Sequence, residues 1–142
     1  MGGYPTRRRT TCGSPFNART RCCRTPRNCS TRWTRRVDLN IAEPLANGYR
    51  FGEALKFFEN RILCAPEASP GLKMIAANRL QWLNGQMADG REYLCGRRFT
   101  LADILLYCWL EFGNQVGQPL DAANTHIVAW MARVAQRQSV KA

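Results

Sequence analysis

The stretch FTLADILLYCWLEF, residues 99–112, limits the possible folds more than any other part of the chain. After Asp103 come Ile104, Leu105, Leu106, Tyr107, Cys108, Trp109, Leu110 and Phe112, which put apolar groups around the whole circumference of a helix. Such a helix is expected at the centre of a bundle, covered by its neighbours. Its first backbone N–H groups then cannot be left to water. Thr100 stands at the N-cap position, with Asp103 three residues on. The Thr100 oxygen can face the Asp103 N–H while the Asp103 carboxylate reaches back to the Thr100 N–H, a capping box with Asp in place of the usual Glu. Phe99 and Ile104 occupy the two positions of a hydrophobic staple. The carboxylate also meets the positive end of the helix dipole. The other reading of Asp103, a catalytic acid or base, has no histidine or second carboxylate nearby in sequence to support it. The cap is the reading we adopt.

The rest of the body is also helical in period. Val37, Ile41 and Leu45 are spaced four apart, and Phe51, Leu55, Phe58 and Ile62 repeat the pattern. Pro44 and Gly48 lie between the two sets, which predicts a kinked helix or two helices in line from about Trp33 to Leu63. The segment CAPEASPG is a loop. A second helix is predicted over about 71–87, with Leu72, Ile75, Ala76, Leu80, Leu83 and Met87 as its buried stripe. A turn-rich connector, ADGREYLCGRRF, leads to the capped helix. A last helix over about 125–136 carries Ile127, Trp130, Met131 and Val134 on one face. There is no strand signal and no repeat. The expected fold class is all-α, a helical bundle around one buried helix.

Charge separates this body from what precedes it. The chain has 142 residues and a formal net charge of +11. Ten of its 21 basic residues, all arginines, lie in residues 1–36 with no Asp or Glu. The remaining basic and acidic residues balance to within one charge. The stretch also lacks Leu, Ile and Val, and cannot bury enough apolar area to offset its ordering entropy. We therefore divide the chain into a disordered arm, 1–32, and a helical domain, 33–142. Arginines attract nucleic acid, but only Tyr4, Phe16 and Trp33 could stack on bases. A transit peptide would be amphipathic, and the arm is not. A metal site on Cys22, Cys23 and Cys29 has neither a paired C-x-x-C nor a histidine. Cys64, Cys95 and Cys108 read as reduced, buried thiols of a cytoplasmic protein. The longest strongly apolar run, 104–110, is too short to span a bilayer.

YLCGRR followed by FTLADI resembles the C-terminal domain of the cytosolic glutathione transferases. There a glycine, a short charged turn and Phe-Ser/Thr-x-Ala-Asp-Ile open the buried central helix. WTRRVDLNIAEPLANGYRF is similar to the first helix of that domain in bacterial members. AWMARVAQRQSVKA is similar to their closing helix, with Gln138 where a proline is usual. The resemblance spans about residues 33–142.

It implies conjugation of glutathione to hydrophobic electrophiles, a homodimer, no tightly bound cofactor, glutathione as co-substrate, and no membrane or nucleic-acid partner. In that family a thioredoxin-like domain holds glutathione, and the helical domain supplies the electrophile pocket and part of the dimer interface. The resemblance places the pocket wall at Asn47, Tyr49, Arg50 and Phe51, with a share from Trp109 and Phe112. For the aromatics, core packing is the competing reading, and the favoured one for Trp109 and Phe112. Trp82 and Trp130 read as packing residues and His126 as a surface residue. An apolar patch is expected around Tyr49 and Phe51. A free-standing helical interaction module is the alternative function. Nothing in residues 1–32 matches the thioredoxin-like domain; CGSPFNAR, with Ser14, only echoes its Ser-Pro turn. The arm's composition is what G+C-rich coding DNA yields in a shifted frame, and the expectation is that the parent gene encodes the whole enzyme.

Overall fold

The structure, a computed structural model, describes residues 26–52, 60–61 and 65–140. Five α-helices are seen among them: α1 (Pro26–Val37), α2 (Glu43–Phe51), α3 (Ser69–Met87), α4 (Leu101–Gln115) and α5 (Thr125–Ala135). A π-helical turn, Asp38–Ala42, joins α1 to α2, and a 3₁₀ turn, Pro66–Ala68, precedes α3. The only β feature among the described residues is an isolated bridge between Tyr93 and Gly96. The fold is an all-α bundle. The arm up to residue 25, and Leu55, Phe58, Ile62 and Cys64 of the periodic pattern, lie outside the described residues.

The break in the first segment is the π turn just before Pro44. A proline has no N–H to give to the carbonyl four residues back, and its ring crowds that carbonyl. The chain widens by one residue there, and the Glu43 N–H bonds the Asp38 carbonyl, five residues back. Pro44 then sits in the first turn of α2, where its missing donor costs nothing. The first helix begins at Pro26, earlier than the start near Trp33 read from the periodicity. Residues 26–32 have no apolar spacing to signal a helix; Pro26 at the first position is the one local start signal.

One core joins α1, the π turn, α3, α4 and α5. Val37 and Ile41 come from the first segment; Leu80, Leu83 and Met87 from α3; Ala102, Leu106 and Leu110 from α4; Ile127, Trp130 and Val134 from α5. Tyr93 and Leu94 enter it from the connector. The sequence stripe on α3 needs one correction. Ala76, Leu80, Leu83 and Met87 are buried, but Ile75 is 44% exposed, because it stands about 100° around the helix from that line. Helix α4 also departs from expectation. It is not covered on every side: Leu101 is 60% and Ile104 46% exposed, and Cys108 is exposed rather than buried. These three fall at i, i+3 and i+7, one outward stripe among the described residues.

The opening of α4 is where separate segments are tied together. Both reciprocal contacts of the capping box are present. Asp103 Oδ2 accepts from the Thr100 N–H at 2.9 Å and from the Thr100 hydroxyl at 3.0 Å. Its other oxygen, Oδ1, accepts from the Leu94 N–H at 2.8 Å and the Trp130 indole N–H at 3.2 Å. The side chain is fully buried. One carboxylate thus holds the helix start, the connector and α5. Phe99 turns its ring against Tyr93, centroids 5.4 Å apart, with the Arg137 guanidinium 3.9 Å from the Phe99 centroid. Ile104, the other staple position, points outward.

A second tie runs from α3 to α5. Asn84 Oδ1 accepts from the N–H groups of His126 and Ile127, at 2.9 and 3.2 Å, in the first turn of α5. This is the work of an N-cap, done by a residue 42 positions earlier in the chain. Two stability measurements check these ties in urea. Asp103→Ala strands the Leu94 and Trp130 donors in the core and should cost about 3 kcal/mol or more. Asn84→Ala loses only the cap and should cost about 1 kcal/mol. Equal, small costs for the two would contradict this ranking.

Candidate functional site

The residues that could line a pocket are on α2 and on the C-terminal half of α4. Tyr49 and Phe112 meet edge to face, centroids 5.5 Å apart and planes at 84°. Phe112 and Trp109 meet in the same way, at 5.5 Å and 89°. Edge-to-face geometry sets the positive rim of one ring against the negative face of the next. The three rings therefore form a chain bridging two helices, and all three remain half-buried. Asn47 and Phe51 are half-buried on α2, and Arg50 is exposed near its end. Of the six residues expected at the pocket wall, the structure links Tyr49, Trp109 and Phe112 directly. Asn47, Arg50 and Phe51 lie on the same helix as Tyr49. Tyr49 and Phe51, around which an apolar patch is expected, are half-buried. Part of the Tyr49 ring is covered by Phe112, which the sequence could not pair with it.

Small residues and side-chain amides fix the approach of α2 to its neighbours. Ser69 Oγ donates to the Gly48 carbonyl at 2.6 Å, satisfying an acceptor in the last turn of α2. Gln118 Nε2 donates to the Leu45 carbonyl at 3.2 Å. Gly113 lets the chain return after α4, since a Cβ there would lie 2.7 Å from the Gln118 carbonyl oxygen. Gly117 and its positive φ of 75° make that reversal possible. Sequence reading missed Ser69, Gln118 and Asn84. Each acts across the fold, and no local spacing announces it.

The electrostatics here are mild. Burial, and then the charge of Glu111, push the Tyr107 phenol above its ordinary value, so it stays protonated at neutral pH. In the connector, hydrogen bonding from Arg91 holds Asp89 below the usual carboxylate range. Among the described residues no group of three or more His, Cys, Asp or Glu could hold a metal ion. No described helix is long and apolar enough to cross a membrane. His126 is exposed. Trp82 packs on Trp33 at 6.4 Å. Trp130 packs in the core and also donates to Asp103, a polar role that spacing alone did not show.

A helical bundle built on a capped central helix, with an aromatic wall between its first and central segments, defines the class of protein. Residues 67–138 match the family model of the Glutathione S-transferase, C-terminal domain, and the chain belongs to that family. Glutathione S-transferase GstA of Escherichia coli O157:H7 is 33% identical over 75 residues, which is 53% of this chain and 36% of that protein. A glutathione S-transferase domain-containing protein from Marinobacter aquaeolei VT8 superposes with a TM-score of 0.68 at 26% identity, covering 85% of this chain and 58% of that one. Gtt2 of Saccharomyces cerevisiae gives a TM-score of 0.68 at 22% identity, covering 78% of this chain and 53% of that one, a likeness of fold. The chain thus spans between about a third and three-fifths of the length of these relatives.

The outward stripe Leu101, Ile104 and Cys108 makes a solution prediction. Light scattering of the chain at rising concentration should show association, and Leu101→Ser with Ile104→Ser should reduce it. A monomer at high concentration would contradict the assignment of this stripe as a contact surface.

Proposed function

We propose that this chain is the electrophile-binding and dimerising part of a cytoplasmic glutathione transferase. Family membership supports the reaction class, and the ring chain Tyr49–Phe112–Trp109 is the observation that carries the pocket. In the reaction a glutathione thiolate attacks the electrophilic carbon. The sulfur–carbon bond forms, and the leaving group departs with its electron pair. Lowering the thiol pKa supplies thiolate at neutral pH, and in this reading that task falls outside residues 26–140. The residues of this chain hold the electrophile. The half-buried rings offer apolar faces and edges to an aromatic substrate. Asn47 and Arg50 can place hydrogen-bond donors beside it, with Arg50 suited to an anionic substituent. Burial against these rings also removes water from the carbon to be attacked.

Glutathione is then the co-substrate of the complete enzyme rather than a ligand of this helical part, and no tightly bound cofactor is needed. The dimer would use outward helical surfaces of the bundle.

Calorimetric titration of the full chain with an apolar aryl halide tests the pocket. We expect saturable binding, weakened about tenfold by Phe112→Ala through loss of the ring contacts, and unchanged by Val128→Ala on the exposed side of α5. Absence of saturable binding, or equal effects of the two variants, would overturn the assignment.

A further inference from the structure

One residue of the chain after α4 touches both helices that carry the aromatic wall. The Gln118 N–H donates to the Gly113 carbonyl at 2.7 Å, so its backbone lies on the last turn of α4. Its own carbonyl oxygen stands 2.7 Å from the place a Cβ at Gly113 would take. The side chain then crosses to α2. There Nε2 donates to the Leu45 carbonyl at 3.2 Å. Oε1 lies 3.1 Å from the place of a Cβ at Gly48. A glycine therefore faces Gln118 on each helix. These glycines flank the ring contact in the chain: Tyr49 follows Gly48, and Phe112 precedes Gly113. From its other side α2 is held by α3. Ser69 Oγ donates to the Gly48 carbonyl at 2.6 Å, and the Lys73 stem passes 3.0 Å from the same Cβ position.

We propose that Gln118 is a positioning residue: it sets the separation of the Tyr49 and Phe112 rings, and through it the size of aromatic electrophile the pocket accepts. The second half rests on the pocket reading above; the first half concerns the protein without ligand. A carbonyl oxygen has two lone pairs, so Leu45 can accept from Gln118 and still serve its helix. In a regular helix its partner four residues on is the N–H of Tyr49. Gln118 thus ties down the turn from which the Tyr49 ring projects. Edge-to-face pairs hold only over centroid separations of about 4.5–7 Å, and this pair stands at 5.5 Å. Without the Gln118 amide, Ser69 still fastens α2 to α3, but the polar tie to the end of α4 is gone. The Tyr49 ring then draws away from Phe112, and the gap admits a wider aromatic group.

The test is NMR of the full chain with isotope-labelled Phe and Tyr, without ligand. In the wild type we expect cross-relaxation between the Tyr49 and Phe112 ring protons, and upfield shifts from the facing ring. Gln118→Ala should weaken both signals. So should Gln118→Glu, which keeps the length and loses the N–H donor. Asn84→Ala removes a cap on the α3–α5 side and should leave both signals unchanged, which separates a local effect from general loosening. Calorimetric titration then compares chlorobenzene with a chloronaphthalene. In Gln118→Ala the ratio of the two affinities should move about tenfold towards the larger ligand, the scale of a small change in an apolar pocket. In Asn84→Ala it should stay at the wild-type value. Unmoved ring signals in either Gln118 variant would overturn the proposal, as would equal movement in Asn84→Ala. Moved rings with an unchanged affinity ratio would overturn the role in substrate size. Wild-type rings in contact with no saturable binding of either halide would overturn the pocket reading instead, and the size role with it.

Discussion

A single buried carboxylate sets the terms for the rest of the bundle. Asp103 is fully buried, and its hydrogen-bond partners include no cation. It is kept by four neutral donors from Leu94, Thr100 and Trp130. Burying a charge without such partners is prohibitive, and with them it fixes geometry. The four donors come from three different stretches of chain, so satisfying the charge places the connector, the start of α4 and the middle of α5 in one arrangement. The apolar side chains around it can then pack in only one register. Leu94, Leu106 and Trp130 are all essentially inaccessible, although they reach the core from three directions.

Around that point the bundle is closed by polar contacts that are few and specific. Asn84 caps α5 from α3. Arg133 donates to the Glu92 carbonyl at 2.7 Å, and Arg137 reaches the Tyr93 hydroxyl at 3.1 Å. These fasten the last helix to the connector that Asp103 also holds. On the opposite side, Ser69 and Gln118 fix α2 against α3 and the chain after α4. The aromatic wall adjoins the second set, Tyr49 following Gly48 and Phe112 preceding Gly113. Its rings are positioned by backbone contacts on both helices, which allows them to stay partly uncovered without collapsing onto one another.

Much of this was legible in the sequence, and for identifiable reasons. The capping box is local: Thr100 and Asp103 are three residues apart, and the pattern states its own geometry. The buried lines of α3 and α5 follow from helical period. The π turn was readable as a break but not as a location, because a proline disturbs the turn before it rather than after. The pairing of Tyr49 with Phe112 needed the fold, since 63 positions separate them and nothing in either helix names the other. The exposure of Leu101, Ile104 and Cys108 could not be read at all. A helix apolar all round shows that it seeks cover, but not which neighbours provide it. The same limit applied to Trp130, whose ring announced packing while its N–H found the one buried carboxylate.

Native-state hydrogen exchange at two sites, the Leu94 amide and the Trp130 indole N–H, tests the role of Asp103 most directly. If the carboxylate unites these segments, both protons should exchange only through the same large opening, with protection near that of the core amides of α4. The Leu94 amide lies in a connector, where ordinary loop protons exchange quickly. Rapid exchange of that amide while the α4 core stays protected would show that the connector opens on its own, and that Asp103 caps a helix without holding the bundle together.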